Sequence, residues 1–329
     1  MLNNSDVSSL KSNDIESIVF NEKILDEFIE EEIQNGFPGV ALLVVRFGKI
    51  LKQSVYGYKL KYNENQILLD HPEHLTLNTM FDVASLTKMY ATNYALMHLV
   101  AQEKLNVNDP IKKYLPQYSG CNPEGEYRET RLVKDLLTHT AGYAPSIEFY
   151  DPNRVSSDLF SQEKNKTKEI IETKLEFQRS KNNDQIPIYS DIDYILLGFI
   201  IEHITGMSIK EYVKINIYQP LGLTHTLFNP LINTQYKKSD FAATELKGNT
   251  RGGTIFFPNV RTYVLQGEVH DEKSFYSMNG LSGHAGLFSN LHDMNILTQI
   301  MLNNGTYKNI HFWNKNIQEL FVTPYEFDQ

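Results

Sequence analysis

The first apolar positions of the chain predict a helix followed by two strands. Five of them recur at the spacing of one helical face, separated mainly by acidic residues: Ile24, Leu25, Phe28, Ile29 and Ile33. Phe37-Pro38-Gly39 ends this period, and the β-branched run 40–45 after it is typical of a buried strand. The chain turns at 47–49 and returns along 50–58 as a second strand. We therefore expect the domain to open with a helix and an antiparallel hairpin.

The pattern farther along the chain is mainly helical. One helical period starts at Ser85, a second is expected from Asp191 to a closing Gly206, and a third includes Asp293. The polar, charged stretch around 144–187 is typical of a helical, solvated insertion. Residues 1–19 are polar and are expected to be flexible, which leaves 20–329 as a single domain.

Composition and charge exclude several classes of function. The chain has 329 residues and a formal net charge of −9, which argues against a nucleic-acid partner. Its single cysteine, Cys121, cannot form an intrachain disulfide, and it lies in a Gly/Pro-rich stretch without a nearby histidine. No secretion signal is visible at the N-terminus, and the apolar run 195–201 is too short to span a bilayer. These features predict a cytoplasmic protein without a membrane span.

Ser85 and Lys88 form the first candidate catalytic pair. They stand three residues apart where a helix begins, so both side chains project from one face. A serine hydroxyl needs a base beside it, and a lysine can be that base if burial or a nearby cation lowers its pKa. The helix N-terminus also suits a developing oxyanion. Alone, a Ser-x-x-Lys pair more often combines a capping serine with a surface lysine.

Tyr189-Ser190-Asp191 adds a second candidate group, 104 residues after Ser85. A tyrosine at this place can relay a proton, and Asp191 can accept a hydrogen bond from Lys88 or from a substrate. The structural alternative is a buried tyrosine beside an aspartate that caps the next helix.

Taken together, these segments resemble the serine β-lactamase and penicillin-binding protein superfamily. The closest resemblance is to its class C-like branch of D-alanyl-D-alanine carboxypeptidases, esterases and class C β-lactamases. The matching segments occur in the family's order: Pro38-Gly39-Val40-Ala41, 81–88, 136–142, Tyr189-Ser190-Asp191 and Pro220-Leu221-Gly222-Leu223.

The resemblance implies an α+β fold of the β-lactamase/transpeptidase type, in which an antiparallel sheet flanked by helices meets an all-helical region. It also implies that Ser85 is the acylated nucleophile, that Lys88 accepts its proton, and that Tyr189 acts as base or acid. Asp191 is the expected substrate-binding residue. Whether Lys88 or Tyr189 is the base stays open.

The family's third motif, Lys/His-x-Gly on a sheet strand, has no clear counterpart. His284-Ala285-Gly286 fits the letters, but no alternating strand surrounds it and a helix follows at once. We therefore expect the sequence to end before the family's last strands, which would remove an oxyanion donor and weaken catalysis.

Several functions remain open from the sequence. The leading one is a D-alanyl-D-alanine carboxypeptidase-like hydrolase acting on a peptidoglycan peptide or another small molecule. The alternatives are a short-chain esterase, a β-lactamase, and a catalytically silent binding relative. No cofactor or metal is indicated, since the consecutive His270-Asp271-Glu272 rarely converges on one ion. His139 is expected to cap a helix or bond within the core.

Overall fold

The computed structural model describes residues 21–121, 125, 127–177, 187–232 and 235–324. Its strands, in chain order, are β1 (Gly39–Arg46), β2 (Lys49–Gly57), β3 (Phe81–Asp82), β4 (Leu227–Phe228), β5 (Ala243–Glu245), β6 (Leu265–Gln266), β7 (Leu287–Ser289), β8 (Thr306–Tyr307) and β9 (Ile310–His311).

Its α-helices are α1 (Glu22–Gln34), α2 (Tyr94–Ala101), α3 (Ile111–Tyr114), α4 (Val133–Leu137), α5 (Lys164–Thr173), α6 (Asp191–Thr205), α7 (Ile209–Val213), α8 (Leu291–Leu302) and α9 (Lys315–Val322). Segments of π-helix cover Lys88–Asn93, Lys214–Tyr218 and Lys273–Ser277, and turns of 3₁₀-helix cover Arg128–Thr130 and Lys238–Asp240.

The opening helix and hairpin form as the hydrophobic pattern predicts. The Asn21 side chain accepts a hydrogen bond from the amide of Ile24 and caps α1. Strands β1 and β2 pair antiparallel from Gly39 opposite Gly57 to Arg46 opposite Lys49. The segment 1–19, for which flexibility is expected, lies outside the described residues.

A three-stranded antiparallel sheet lies beside the segment that holds Ser85. Its order is β3-β7-β4, so β7 lies between two strands that are distant in sequence. Phe81 pairs with Ser289, and Asp82 pairs with Phe288. This pairing brings the segment just before Ser85 against the segment that follows His284. Mixed helices and small antiparallel sheets confirm the predicted α+β class.

Helix α6 forms the centre of the core. It begins and ends where its caps predict, because the Ser190 side chain accepts from the amide of Ile192 and Gly206 adopts a left-handed φ of 66°. Residues 192–201 of this helix are all buried. Gly198 permits a close approach of the chain at Gly283, since a Cβ at Gly198 would lie 3.1 Å from the Gly283 amide nitrogen.

The stretch around 144–187 differs from the solvated insertion that its polar composition predicts. Within its described part, only α5 is α-helical, and this helix buries Ile170 and Ile171. The buried Arg128 guanidinium donates to the carbonyls of Ile171 and Glu172, which joins the end of α5 to the core. A short amphipathic helix needs few apolar residues to dock, so composition alone misrepresented its environment.

The last described elements are a hairpin, whose strands β8 and β9 have two residues each, and helix α9. The sequence pattern predicts none of them. They pack through buried Phe312 and Trp313, and the Trp313 indole donates to Gln318 at 2.7 Å.

Within the described ranges, no single helix is long and apolar enough to cross a membrane. Helix α6 and the segment Ile209–Tyr218, which meet at a bend of 70°, pass that test only together, by length and composition.

Candidate active site

Ser85 lies in a tight connection between β3 and the first π-helical segment. Asp82, the last residue of β3, accepts the amide of Ala84 at 2.8 Å on one carboxylate oxygen and the amide of His270 at 2.7 Å on the other. Burial raises the pKa of Asp82, although these two amide hydrogen bonds oppose that effect. Ala84 adopts a left-handed φ of 46°, and Ser85 follows it on the exposed side of the turn.

Lys88 is buried directly beneath this serine, with a relative accessibility of 4%. Its ammonium donates to Ser85 Oγ at 3.0 Å, to Asp191 Oδ1 at 2.9 Å and to the carbonyl of His284 at 3.2 Å. The same Nζ lies 4.7 Å from the ring centroid of Tyr189. The contact that i, i+3 spacing predicts between Ser85 and Lys88 is therefore present.

Tyr189 and Asp191 reach Lys88 from the start of α6. Ser190, between them, caps the helix and donates its hydroxyl to the carbonyl of Ala144 at 2.7 Å. The cap is therefore Ser190 rather than the aspartate that the structural alternative assumes. Tyr189 is 52% exposed, so it lines the opening of the site instead of being buried. All four predicted site residues, Ser85, Lys88, Tyr189 and Asp191, meet in one place.

A second lysine joins the site and was missed from the sequence. Lys273 Nζ lies 3.1 Å from Asp191 Oδ2 and 3.4 Å from Asp271 Oδ2. Asp271 Oδ1 lies 2.8 Å from His284 Nε2, and His284 Nδ1 lies 2.7 Å from the Ser282 hydroxyl. The mixed charges at 271–273 were the only sequence signal, since this Gly- and aromatic-rich region has no helical period.

The charges of this network stabilise one another. Burial would raise the pKa of Asp191, but His284, Lys273 and Lys88 outweigh it and lower that pKa. Burial would also raise the pKa of Asp271, yet His284 and Lys273 hold that pKa well below the usual range. For Lys273, burial disfavours the charged form, and Asp271 and Asp191 overcome this and raise its pKa.

Oxygen and nitrogen atoms of Asp191, Asp271 and His284 lie within 4.8 Å of one another, as in a metal site. The ammonium groups of Lys88 and Lys273 already contact these carboxylates, on both oxygens of Asp191 and on Oδ2 of Asp271. A metal cation would have to displace them or sit beside two positive charges. The cluster therefore does not fit a metal ion.

His139 packs against Tyr189 and the start of α6. Its ring lies 4.6 Å from that of Tyr189, between centroids, and its Nδ1 lies 2.8 Å from Asp193 Oδ2. The amide of Ser190 also points at Nδ1, at 3.2 Å. The expected core hydrogen bonding of His139 is thus present, directly behind the segment that carries Tyr189 and Asp191.

The segment His284-Ala285-Gly286 precedes β7 rather than lying within a strand. His284 is buried, with its carbonyl on Lys88 and its ring on Asp271. The triplet therefore belongs to the wall of the site, while the position of the family's third motif stays a prediction.

A cavity of about 540 Å³ opens elsewhere, between the segment Ile209–Tyr218 and β4. None of the residues that line it belongs to the Ser85 cluster, so the arrangement of chemically active side chains identifies the site better than cavity size does.

The chain is similar to several known proteins. The family model described as Beta-lactamase matches residues 22–320. A Bacillus subtilis (strain 168) protein named N-acetylmuramyl-L-alanine amidase is 47% identical over 304 residues, which are 91% of this chain and 67% of that protein. A Salmonella typhi protein named putative D-alanyl-D-alanine carboxypeptidase is 48% identical over 298 residues, with shares of 90% and 67%.

Among solved structures, the octameric penicillin-binding protein homologue from Pyrococcus abyssi superimposes with a TM-score of 0.65. At 23% identity, the likeness covers 91% of this chain and 59% of that one, and it supports the fold alone. The chain spans about two thirds of the length of the curated relatives that it matches.

Proposed function

Because this chain belongs to the Beta-lactamase family, we propose that it is a serine hydrolase that acts through an ester on Ser85. The observation that carries the proposal is the 3.0 Å contact between Ser85 Oγ and the side-chain nitrogen of the buried Lys88. A nucleophile and its proton acceptor within hydrogen-bond reach, at the edge of an open site, are the minimum that acyl transfer needs.

In the proposed reaction, neutral Lys88 takes the proton of Ser85 while Oγ attacks the substrate carbonyl. The amide of Ser85, at the start of the helical segment, is the donor that we assign to the oxyanion. Collapse of the tetrahedral intermediate breaks the bond to the leaving amine, which takes up the proton. Water then attacks the ester by the reverse proton path and releases the acid.

Tyr189 is assigned the delivery of the proton to the leaving group. Its half-exposed side chain borders the opening, and its ring lies over the side-chain nitrogen of Lys88, so the tyrosine stands beside the group that takes the serine proton. The alternative, in which Tyr189 is the base and Lys88 keeps it ionised, uses the same contacts. Asp191 holds Lys88 and, in this proposal, lies close enough to the site to orient a substrate.

The leading substrate is a peptide that ends in D-alanyl-D-alanine. Support comes from the 48% identity to the Salmonella typhi protein named putative D-alanyl-D-alanine carboxypeptidase. The name of the Bacillus subtilis relative favours a second candidate, cleavage of the bond between N-acetylmuramic acid and L-alanine. Both reactions hydrolyse an amide in a peptidoglycan fragment.

One substrate separates the two candidates. The chain would be incubated with N-acetylmuramyl-pentapeptide and the products identified by mass spectrometry. A carboxypeptidase would release D-alanine, and an amidase would release free N-acetylmuramic acid. Ser85→Ala should release neither product. Ser119→Ala, at a serine that contacts none of the site residues, should match the parent. Turnover by Ser85→Ala at the parent's rate would contradict the proposal.

A further inference from the structure

Five side chains around Ser85 form a closed ring of polar contacts. From Lys88 the ring runs through Asp191, Lys273 and Asp271 to His284, and the His284 carbonyl accepts from Lys88 again. Each carboxylate uses its two oxygens on different partners. Asp191 therefore binds both lysines at once, Lys88 on Oδ1 at 2.9 Å and Lys273 on Oδ2 at 3.1 Å.

The charges of the two lysines and two carboxylates balance when both lysines are protonated, because two ammonium groups then face two carboxylates. The His284 ring contacts Asp271 through Nε2 and the Ser282 hydroxyl through Nδ1, and its backbone carbonyl, rather than its ring, contacts Lys88. When Lys88 gives up its proton, the two lysines and two carboxylates carry one net negative charge. Without Lys273, Lys88 and the two carboxylates would carry two, in a buried environment where charges interact strongly.

The other groups that face Lys88 do not supply this compensation. The rings of Tyr189 and Tyr194 lie at 4.7 and 5.7 Å, and both are neutral when protonated. On the same helix, Asp193 is paired with His139. Glu272, beside Lys273 in sequence, is paired with Arg251 at 2.6 Å. Of the residues that the structure describes, Lys273 is the cation that shares a carboxylate with Lys88.

We propose that Lys273 is a positioning residue for the Ser85 chemistry. By holding Asp191 and offsetting its charge, it favours the loss of a proton from Lys88, which can then accept that of Ser85. The inference rests on the proposed function, because it assigns Lys88 as the proton acceptor. It also explains why two lysines are buried within reach of one aspartate, an arrangement that Lys88 alone would not require.

The test follows the acylation of Ser85 by a fluorophosphonate across pH. In this step an O–P bond forms, fluoride leaves, and the serine proton passes to Lys88. In Lys273→Met we expect the midpoint of the rate profile to rise by about one to two pH units, which lowers the rate at pH 7 about 10- to 100-fold. At high pH the rate should return toward that of the parent. Lys273→Arg should keep most of the parent profile.

Asp271→Asn supplies a prediction of opposite sign, because it removes a negative charge from the ring and leaves Lys273 in place. Its profile should move to lower pH. Lys52→Met is the matched control, since Lys52 is another buried lysine, bound to Asp26 at 2.8 Å and outside the site. Its midpoint should equal that of the parent.

A merely structural role would slow acylation by one factor at every pH, and that result for folded Lys273→Met would overturn the proposal. So would shifts of the same sign in Lys273→Met and Asp271→Asn. NMR titration of the ¹³C-labelled lysine side chains, with Lys88 assigned through Lys88→Arg, gives a second readout without catalysis. A Lys88 titration midpoint that is the same in Lys273→Met and parent would also overturn it. If the parent is never acylated yet this midpoint moves, the proposed function fails and the coupling between the lysines stands.

Discussion

The pair formed by Asp193 and His139 predicts an unusual dependence of stability on pH. Asp193 is 1% exposed, its Oδ2 lies 2.8 Å from His139 Nδ1, and its Oδ1 has no hydrogen-bond partner among the described residues. Burial raises the pKa of Asp193 to about 7, against the opposing effect of His139. The amide of Ser190 also donates to Nδ1, which leaves a protonated Asp193 as the better partner for that nitrogen.

The direction of this pH dependence follows from the pKa of Asp193 in the two states. It is about 7 in the folded protein and takes the ordinary value of 3.8 in the unfolded chain. Well below pH 4 both states hold the proton. As pH rises from 4 to 7, the unfolded chain loses it while the folded chain keeps it, so the free energy of unfolding falls. Three pH units at about 1.4 kcal/mol each give a total of about 4 kcal/mol, of which about 2–3 kcal/mol falls between pH 5 and 8.

Asp193→Asn removes this titration, because asparagine does not ionise. Relative to the parent, the free energy of unfolding of Asp193→Asn should therefore gain about 2–3 kcal/mol between pH 5 and pH 8. Urea unfolding at both pH values measures it, with the buried Trp313, the only tryptophan, as the fluorescent probe. Asp70→Asn, at an exposed acid, is the control. A difference between Asp193→Asn and parent that is the same at both pH values would refute the reasoning.

Two further predictions concern the site and its support. Tyr189→Phe should lower amide turnover at least about 100-fold, because it removes a proton-transfer group. Because Tyr189 is half-exposed, removing its hydroxyl should lower the free energy of unfolding, measured in urea, by less than about 0.5 kcal/mol. Unchanged turnover would contradict the assigned role. Gly283→Ala should cost about 1–3 kcal/mol and slow Ser85 acylation, because the new Cβ would lie 2.2 Å from the Tyr194 carbonyl oxygen, beside His284. Parent-like stability and acylation would show that the backbone adapts.

Features set by neighbouring residues were predictable from the sequence. The i, i+3 spacing of Ser85 and Lys88 requires only one helical turn, and their contact is present. Helix α6 has the expected bounds because its signals, a polar start and a closing Gly206, are local. The class of fold followed from the family resemblance.

Features that depend on distant parts of the chain were missed. Lys273 reaches the site because Asp82 fixes the amide of His270 across 188 residues, and no local pattern encodes that contact. The docking of α5 depends in the same way on the buried Arg128. The hairpin of β8 and β9 escaped notice because its strands are two residues long, too short for alternation to appear.

The central claim is that Ser85 is an activated nucleophile, and intact-mass spectrometry tests it most directly. The purified chain and Ser85→Ala would each be exposed to a fluorophosphonate and to penicillin. The account predicts a single adduct on the parent, and none on Ser85→Ala. A folded parent that gains no adduct from either reagent, or a Ser85→Ala protein that still gains one, would contradict it.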